Sequence, residues 1–387
     1  MEDIMKEKAQ IFKSPALYYG SLPFWSWNED LDEEEIAYQI KEMAEQGVGG
    51  FFMHSRDGLE TEYMGEKWMS CIRRAVKEAE KYGMKAWLYD EDRWPSGTAG
   101  GKVPSEGDAY RCKGLTLEIC DPAKISYLKE DNVLAVYGAE FEGMELYSCR
   151  SLPVNEPSVL KDKEARLVVR LEVSGKSEWF NHESPPDNLN PDTVRNFISK
   201  THERYFSEIG EYFGTVVPGI FTDEPSLADF HTSFPPNRSW IPWTYDFEEY
   251  YRAKRGRDIF DNLPYIYFNG NKSSKARHDY WNTVSDLFCE SYSQVIAAWC
   301  REHSIAYTGH FLQEDKLGLC ARVNGSIMPH YKYQDVPGID MLGESTTEYL
   351  TVKQCASVAH QFGKKEVLTE TYGCTGWDFT FEGMKWV

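Results

Sequence analysis

The stretch MKAWLYDEDRWPSG, residues 84–97, passes from a short apolar segment into a cluster of acids, a tryptophan and a turn. An amphipathic helix is predicted just before it, over residues 65–82, and Gly83 is typical of a residue that ends a helix. A helix, a glycine, an apolar strand and a polar cluster form the order expected of helices that alternate with parallel strands.

The same order recurs along the chain and predicts an α/β fold. A further helix is predicted to begin after Asn190 as N-cap, with Pro191 as its first residue, and to end near Gly214. The alternation favours a (β/α)8 barrel of the TIM type, which needs eight strands. Seven strands are predicted, at residues 24–27, 49–54, 85–90, 219–223, 305–310, 338–342 and 366–370. We therefore expect a barrel that is incomplete at the C-terminus because the chain is truncated; irregular closure is the alternative.

One segment interrupts this order after the third strand. Residues 112–178 alternate apolar and polar positions and are rich in Val, Leu and Tyr, which predicts a β-rich insertion. The predicted organisation is barrel strands 1–3 in residues 14–111, the insertion in 112–178, and barrel strands 4–7 in 179–387. A second excursion, rich in aromatic residues, covers residues 231–277 and is expected to face the barrel mouth.

The composition excludes several classes of partner. The formal net charge is −20, and phosphate binding needs a basic face, so neither nucleic acid nor an anionic membrane surface is expected. The N-terminal segment lacks an apolar core of signal-peptide length, and no later run is apolar enough to span a bilayer. Nine cysteines without a CxxC pair are typical of reduced thiols, so a cytoplasmic protein is expected. The oligomeric state stays open.

Polar and aromatic side chains follow each predicted strand. In a TIM barrel the carboxyl ends of the strands meet at one mouth, so these side chains are expected to share a site. Trp25 and Trp27 alternate along the first strand, and we expect only one of them to face the barrel axis. The residues predicted to bind a substrate are Trp25, Trp27, His54, Asp90, Asp92, Arg93, Trp94, His310, Tyr372 and Trp377.

Many acids, many aromatic rings and few cations suit a neutral polyhydroxylated ligand. Glycoside hydrolysis needs one protonated carboxyl group and one ionised carboxylate. Glu224 and Glu370 end the fourth and seventh strands, and we predict them as general acid and base. Asp223 beside Glu224 is expected to raise its pKa by repulsion. Glu344 and Asp223 are the alternative catalytic carboxylates.

An ordered set of motifs spans residues 20–387. PFWSWN, GVGGFFMHSR, YDEDRWPSGTAGG, PGIFTDEPS, GHFLQED, VPGIDMLGE and LTETYGCTGWD together resemble the α-L-rhamnosidase-like glycoside hydrolases of family 106. The resemblance implies a barrel with a β insertion and an inverting hydrolysis of an L-rhamnoside by two carboxylates. It also implies a possible calcium that contacts the sugar, for which the acids at 90–92, 223, 314, 315 and 344 offer oxygen ligands. No ligand set follows from the sequence, and no other cofactor is expected.

Two other functions fit the same mouth. A metal-dependent hydrolase would use His54, His310, Asp92 and Glu224. Barrel metallohydrolases usually carry two histidines on the first strand, where this chain has FWSWN, so the sequence favours this function less. The third alternative is a sugar-binding protein without catalysis, or an inert barrel fragment.

Overall fold

Twelve strands and thirteen α-helices form the part of the chain that the structure describes. The computed structural model describes residues 2–13, 15–120, 131–154, 156, 158–344 and 348–386. The strands are β1 Phe24–Glu29, β2 Gly50–Leu59, β3 Lys85–Tyr89, β4 Lys113–Cys120, β5 Val133–Glu142, β6 Glu145–Leu152, β7 Ala165–Val173, β8 Gly219–Asp223, β9 Ser239–Trp243, β10 Ala306–His310, β11 Val336–Met341 and β12 Leu368–Thr371. The helices are α1 Glu2–Lys13, α2 Glu33–Glu45, α3 Glu66–Tyr82, α4 Pro191–Lys200, α5 His202–Ile209, α6 Phe247–Arg255, α7 Pro264–Tyr267, α8 Ser273–Phe288, α9 Gln294–Glu302, α10 Leu317–Asn324, α11 Met328–Tyr331, α12 Leu350–Gln361 and α13 Phe381–Trp386.

Seven strands form a parallel sheet in the order β1–β2–β3–β8–β10–β11–β12. These are the seven strands predicted from the sequence, so the mixed α/β architecture is confirmed. Phe24 on β1 and Leu368 on β12 pack against one interior cluster, which shows that the sheet curls. Among the described residues β1 pairs only with β2 and β12 only with β11, so the sheet is a TIM-like half-barrel.

Aromatic side chains fill the interior of the curled sheet. Phe52, Trp87, Tyr89 and Phe221 are buried there in one cluster. Gly219 is required beside them, because a Cβ atom at this position would lie 2.3 Å from the Trp87 ring. The interior of the half-barrel at this level is therefore filled by side chains.

Amphipathic helices cover the outer face of this sheet. In α3, Trp68, Ile72 and Ala75 are fully buried at helical spacing. Gly83 ends α3 with a φ of 70°, a left-handed conformation that glycine adopts without strain. Among the helices of the described segments, none combines the length and the apolar composition that crossing a membrane requires.

The helix predicted from Asn190 to Gly214 is wrong in its extent. Asn190 does cap α4, because its side chain accepts a hydrogen bond from the Asp192 N–H at 2.9 Å. However, α4 ends at Lys200, and the Thr201 hydroxyl donates to the Phe197 carbonyl at 2.9 Å. A threonine that bonds back to the preceding turn bends a helix, so a separate helix, α5, follows.

Five strands form an antiparallel sheet in the order β6–β5–β7–β4–β9. Strands β4 to β7 lie within the segment predicted to be β-rich, and β9 comes from the second excursion. A buried ion pair at 2.9 Å links Lys113, at the start of β4, to Asp187, ahead of α4. The domain limits at residues 111/112 and 178/179 stay predictions.

Candidate functional site

Polar side chains occupy the inner face of the half-barrel at the carboxyl ends of six strands. The strand register aligns His310 with Asp223, and Asp340 with Glu370. Side chains two residues apart on a strand share a face, so these groups extend the aromatic cluster towards the mouth. We call this set the carboxylate ring; its members are His54, Tyr89, Asp223, Glu224, His310, Asp340 and Glu370.

Asp223 is locked at the end of β8. Its carboxylate accepts a hydrogen bond from the Tyr89 hydroxyl at 2.5 Å. Its backbone N–H donates to Ser96 Oγ at 2.8 Å, and the Ser96 N–H donates to the Asp223 carbonyl at 2.7 Å. Ser96 Oγ also donates to the buried Asp90 carboxylate at 2.5 Å. The loop after β3 is therefore tied to β8 immediately beside Glu224.

His310 lies between two carboxylates. Its Nε2 atom is 2.8 Å from a Glu370 carboxylate oxygen and 3.6 Å from an Asp223 oxygen. Burial disfavours the charged imidazolium, but the hydrogen bond to Glu370 and the surrounding negative charges raise the pKa of His310 well above its ordinary value. His310 therefore acts as the cation that holds the ring carboxylates together.

Glu224 combines an unusual backbone with a raised pKa. Its φ of 47° lies in the left-handed region, which a non-glycine residue adopts at an energetic cost and often at functional sites. Its N–H donates to the His310 carbonyl at 3.2 Å. Burial first, and then the negative charge of Asp223, raise the pKa of Glu224 to about 8. Glu224 is therefore protonated at neutral pH.

Asp340 is a ring member that the sequence analysis missed. Its carboxylate lies within 4.8 Å of Glu224 and of His310, counted between their nearest ligand atoms. One of its oxygens, Oδ1, is buried without a hydrogen-bond partner among the described residues. Burial first raises the pKa of Asp340 to about 6. The two-residue alternation of a strand could have identified it, because Gly338 and Asp340 share the inner face of β11. The sequence prediction instead named Glu344, which lies beyond the end of this strand.

Two buried glutamates serve as loop anchors. Glu314 accepts hydrogen bonds from the Phe311 N–H, the Tyr331 hydroxyl and the Asp340 N–H at 3.1, 2.8 and 3.0 Å. Glu91 accepts five backbone N–H bonds in the loop after β3, from Asp92, Gly97, Thr98, Ala99 and Gly100. Both carboxylates are occupied by the protein itself, so neither is free to bind a ligand.

The acids named for calcium do not converge on one point. Glu91 and Glu314 anchor loops, and Asp90 is bonded to Ser96. Asp315 and Glu344 are exposed, and Glu344 accepts a hydrogen bond from the Gly376 N–H at 3.0 Å. Of these named acids, Asp223 alone belongs to a group with metal-ligand spacing among the described residues, so the calcium implied by the resemblance stays a prediction.

Within the described residues, two groups of three side chains have the spacing of metal ligands, and His310 belongs to both. The groups are Asp223, His310 and Glu370, and Glu224, His310 and Asp340. One nitrogen and two carboxylate oxygens suit a transition metal better than calcium. A metal would have to compete with a proton on His310, because its pKa is raised.

The predicted metallohydrolase set does not come together. His54 contacts the Tyr89 ring at 3.9 Å between centroids, and burial lowers its pKa to about 3. Asp92 accepts a hydrogen bond from Ser55 at 2.8 Å. Neither residue belongs to the metal-like groups found in the described part of the chain.

Both tryptophans of β1 lie on the outer face of the sheet, contrary to the expectation that one of them faces the barrel axis. Trp25 Nε1 donates to Gln39 on α2 at 2.9 Å, and the Trp27 ring lies 5.1 Å from that of Trp68 on α3. Both rings contact each other and the helical layer, because residues i and i+2 of a strand share a face. The inner face of β1 carries Phe24, so neither Trp25 nor Trp27 lines the mouth.

Four other predicted residues lie on the rim or away from the ring. The Tyr372 hydroxyl donates to the Met384 carbonyl at 2.6 Å, so it holds the C-terminal helix. The Trp377 side chain is fully exposed. Arg93 pairs with Asp57 at 2.6 Å, and the Trp94 ring lies 5.1 Å from the Trp179 ring.

Comparison with known proteins supports the fold. No protein-family model and no curated protein matches the chain. Among solved structures, a rhamnosidase from Novosphingobium sp. PP1Y matches with a TM-score of 0.64 and 14% identity, over 93% of this chain and 52% of that chain. A chitobiase from Flavobacterium johnsoniae is aligned with 12% identity over 89% of this chain and 38% of that chain, with a TM-score of 0.34. The chain thus spans about half of the rhamnosidase and shares its fold.

Proposed function

We propose that this chain carries the catalytic site of a glycoside hydrolase. The observation that carries the proposal is the position of Glu224, which lies within 4.8 Å of His310 and Asp340 at the mouth of a half-barrel, where burial and Asp223 raise its pKa to about 8. An acid that keeps its proton at neutral pH beside an ionised carboxylate is the arrangement that glycosidic bond cleavage needs. The shared fold with a rhamnosidase agrees with this proposal.

Glu224 is the general acid of the proposed reaction. Its proton passes to the glycosidic oxygen as the bond to the anomeric carbon breaks. Transfer leaves a negative charge on Glu224, and the nearby His310 cation stabilises that charge. Glu224 follows Asp223 directly and has a positive φ, and both side chains lie within 4.8 Å of His310, counted between nearest ligand atoms.

Glu370 is the proposed base, in agreement with the sequence prediction. As a carboxylate it accepts the hydrogen bond from His310 and can take a proton from a water that attacks the anomeric carbon. Asp340 is the alternative partner. Its nearest oxygen lies within 4.8 Å of Glu224, too close for the water of an inverting reaction, which needs carboxyl groups ~6.5–9.5 Å apart. Asp340 would therefore act as a nucleophile with retention, whereas inversion through Glu370 requires its carboxyl group to lie ~6.5–9.5 Å from that of Glu224.

An α-L-rhamnoside is the proposed substrate, with the sugar at the end of a chain or conjugate. The resemblance of the motifs and the fold shared with a rhamnosidase support this choice. Calcium takes no part in the proposed steps, because the acids named for it do not converge. Activity measured after EGTA treatment, and again after calcium is restored, tests the calcium implied by the resemblance.

A panel of nitrophenyl glycosides, α-L-rhamnoside first, tests the function. Proton NMR of the first-formed anomer distinguishes inversion through Glu370 from retention through Asp340. In Glu224→Gln, hydrolysis of an alkyl rhamnoside should fall ~10²–10⁴-fold, while a dinitrophenyl rhamnoside should lose far less, because its leaving group needs no proton. Glu370→Gln should slow both substrates equally. An unimpaired Glu224→Gln on alkyl rhamnosides rejects the mechanism, and a chain that binds sugar without turnover is a binding protein.

A further inference from the structure

Among the described residues, Arg56 has no anionic partner. It lies on β2 two residues after His54, where the register with β1 shifts after Ser55. Its guanidinium carbon lies 4.3 Å from the Trp94 ring centroid. The neighbouring acid, Asp57, pairs with Arg93 instead. Within the described residues, no hydrogen bond or ion pair of Arg56 is found in a chain with 62 acids.

An aromatic cluster continues from the Trp94 ring that this guanidinium contacts. The Trp94 ring packs edge-to-face on Trp179 with centroids 5.1 Å apart, and Trp179 lies 4.4 Å from His231. Trp179 keeps 37% of its surface exposed. Both ring nitrogens of His231 are buried, and neither has a hydrogen-bond partner in the part of the chain that the structure describes. These groups come from the loops after β3 and β8 and from the segment after β7.

The loops that carry Trp94 and His231 link this cluster to the strand that ends at Asp223 and Glu224. Trp94 is two residues from Ser96, whose hydroxyl and N–H bond to the backbone of Asp223. His231 lies seven residues after Glu224, on the loop that follows the same strand. The side of the site that holds the general acid is the side from which the leaving group departs.

We propose that Arg56, Trp94 and Trp179 form a leaving-group subsite for a sugar that carries a carboxylate, that is, a uronic acid. The inference rests on the proposed glycosidase function, since it assigns the group on the far side of the cleaved bond. The guanidinium fork matches a carboxylate with two parallel hydrogen bonds, and the tryptophan rings offer an apolar surface for the sugar C–H face.

Charge is the reason for a uronic acid rather than a neutral sugar. The carboxylate ring and the net charge of −20 repel anions from the mouth. An unpaired guanidinium held on a ring face therefore compensates for the carboxylate of an acidic ligand, whereas a neutral hexose needs no such cation. An arginine stacked on an aromatic ring is also fixed in place, which reduces the entropy lost on binding.

Binding without turnover tests the subsite. The probes are methyl β-D-glucuronide, its neutral carboxymethyl ester and methyl β-D-glucoside, titrated by calorimetry at pH 7 and constant ionic strength. The uronide should bind ~10- to 100-fold more tightly than the other two, the range of a hydrogen-bonded charge pair. Arg56→Gln should remove this difference, and Arg56→Lys should recover only part of it because lysine lacks the fork.

Arg195→Gln is the matched control, because Arg195 is exposed on α4 and pairs with Asp192. It should leave the preference for the uronide unchanged. Equal affinity for the three probes, no saturable binding, or a preference that persists in Arg56→Gln overturns the subsite. Circular dichroism of each variant confirms that the fold is retained.

The two proposals fail separately. A wild-type chain that hydrolyses nitrophenyl rhamnoside but binds the three probes alike retains the glycosidase function and loses the subsite. A chain that prefers the uronide through Arg56 but hydrolyses no glycoside retains the anionic site and loses the catalytic function. A rhamnosyl-uronide that is cleaved with a lower KM than a rhamnosyl-hexoside, in wild type but not in Arg56→Gln, supports both.

Discussion

Replacing Glu224 with glutamine should stabilise the fold while it removes the proposed activity. The ordinary pKa of the glutamate is 4.5, and burial with repulsion raises it to about 8 in the folded chain. A group whose pKa is raised on folding adds stability below its unfolded pKa and loses that stability as the pH rises through its folded pKa. The free energy of unfolding of the wild type should therefore fall between pH 4.5 and about 8.

The size of this effect follows from the pKa difference. Each pKa unit corresponds to about 1.36 kcal/mol, so the rise from 4.5 to about 8 amounts to about 5 kcal/mol as an upper value. Relaxation of the site and entry of water reduce it, so we expect roughly 2–5 kcal/mol at pH 8.5. Glutamine has nearly the same shape and no charge, so Glu224→Gln should show no such loss. At pH 4.5 the two proteins should be close in stability.

Urea denaturation followed by tryptophan fluorescence measures this prediction at pH 4.5, 6.5 and 8.5. Glu60→Gln is the matched control, because Glu60 is exposed after β2 and its substitution removes the same charge from the chain. The stability gained by Glu224→Gln over the wild type should grow with pH, whereas Glu60→Gln should follow the wild type throughout.

Two outcomes contradict the reasoning. A gain that is equal at pH 4.5 and 8.5 means that Glu224 is not kept neutral by its surroundings. A variant that is less stable at pH 8.5 means that the ionised carboxylate makes favourable contacts in the fold. Either result also removes the argument that Glu224 holds a proton ready for the leaving group.

Three further predictions concern the surroundings of this acid. Asp340→Asn removes a negative charge that raises the pKa of Glu224, so the alkaline limb of the pH profile of kcat/KM should move below pH 8. An unchanged limb would show that Asp340 does not influence the pKa of Glu224. Glu91→Gln leaves backbone N–H donors unpaired and should lower the free energy of unfolding by about 2–4 kcal/mol in urea, with a change under ~0.5 contradicting the anchor role. Gly309→Ala should cost about 2 kcal/mol or more, because φ is 135° and a Cβ atom would lie 2.0 Å from the Thr222 carbonyl oxygen; a stable variant would show that the strand shifts freely.

The strands could be predicted from the sequence because the signals are local. Apolar runs of strand length, four of them preceded by a predicted helix and a glycine, identify all seven members of the parallel sheet. Gly83 and Asn190 act at helix ends as their residue types indicate. The break at Thr201 was missed, because a threonine inside a helical pattern is compatible with either a straight helix or a bent one. Local sequence pattern predicts which strands and helices form, whereas a side-chain hydrogen bond such as that of Thr201 determines where a helix ends.

The site was predicted less well, because its members differ by the face they occupy. Trp25 and Trp27 lie at the right end of β1 but on its outer face, while Asp340 lies one position short of the strand end on the inner face. Burial on both sides of a parallel strand removes the apolar and polar alternation that would reveal the face. Glu91 and Glu314 carry carboxylates, which could bind a metal or a substrate. Only the loop geometry shows that backbone N–H groups donate hydrogen bonds to them instead.

The division of roles among the ring carboxylates depends on one cation. Asp223 and Glu370 both face His310 Nε2, and the imidazolium offsets their repulsion. Burial and the negative charge of Asp223 both raise the pKa of Glu224. The attraction of the His310 cation lowers that pKa by less, so the net shift is upward. Because His310 lies between Asp223 and Glu370, Glu224 is the carboxyl group that keeps its proton. Acid catalysis needs this difference in protonation between neighbouring carboxyl groups, and the position of His310 produces it. Replacing the His310 cation with an acidic side chain, rather than removing a single acid, is the change that would abolish the distinction between acid and base.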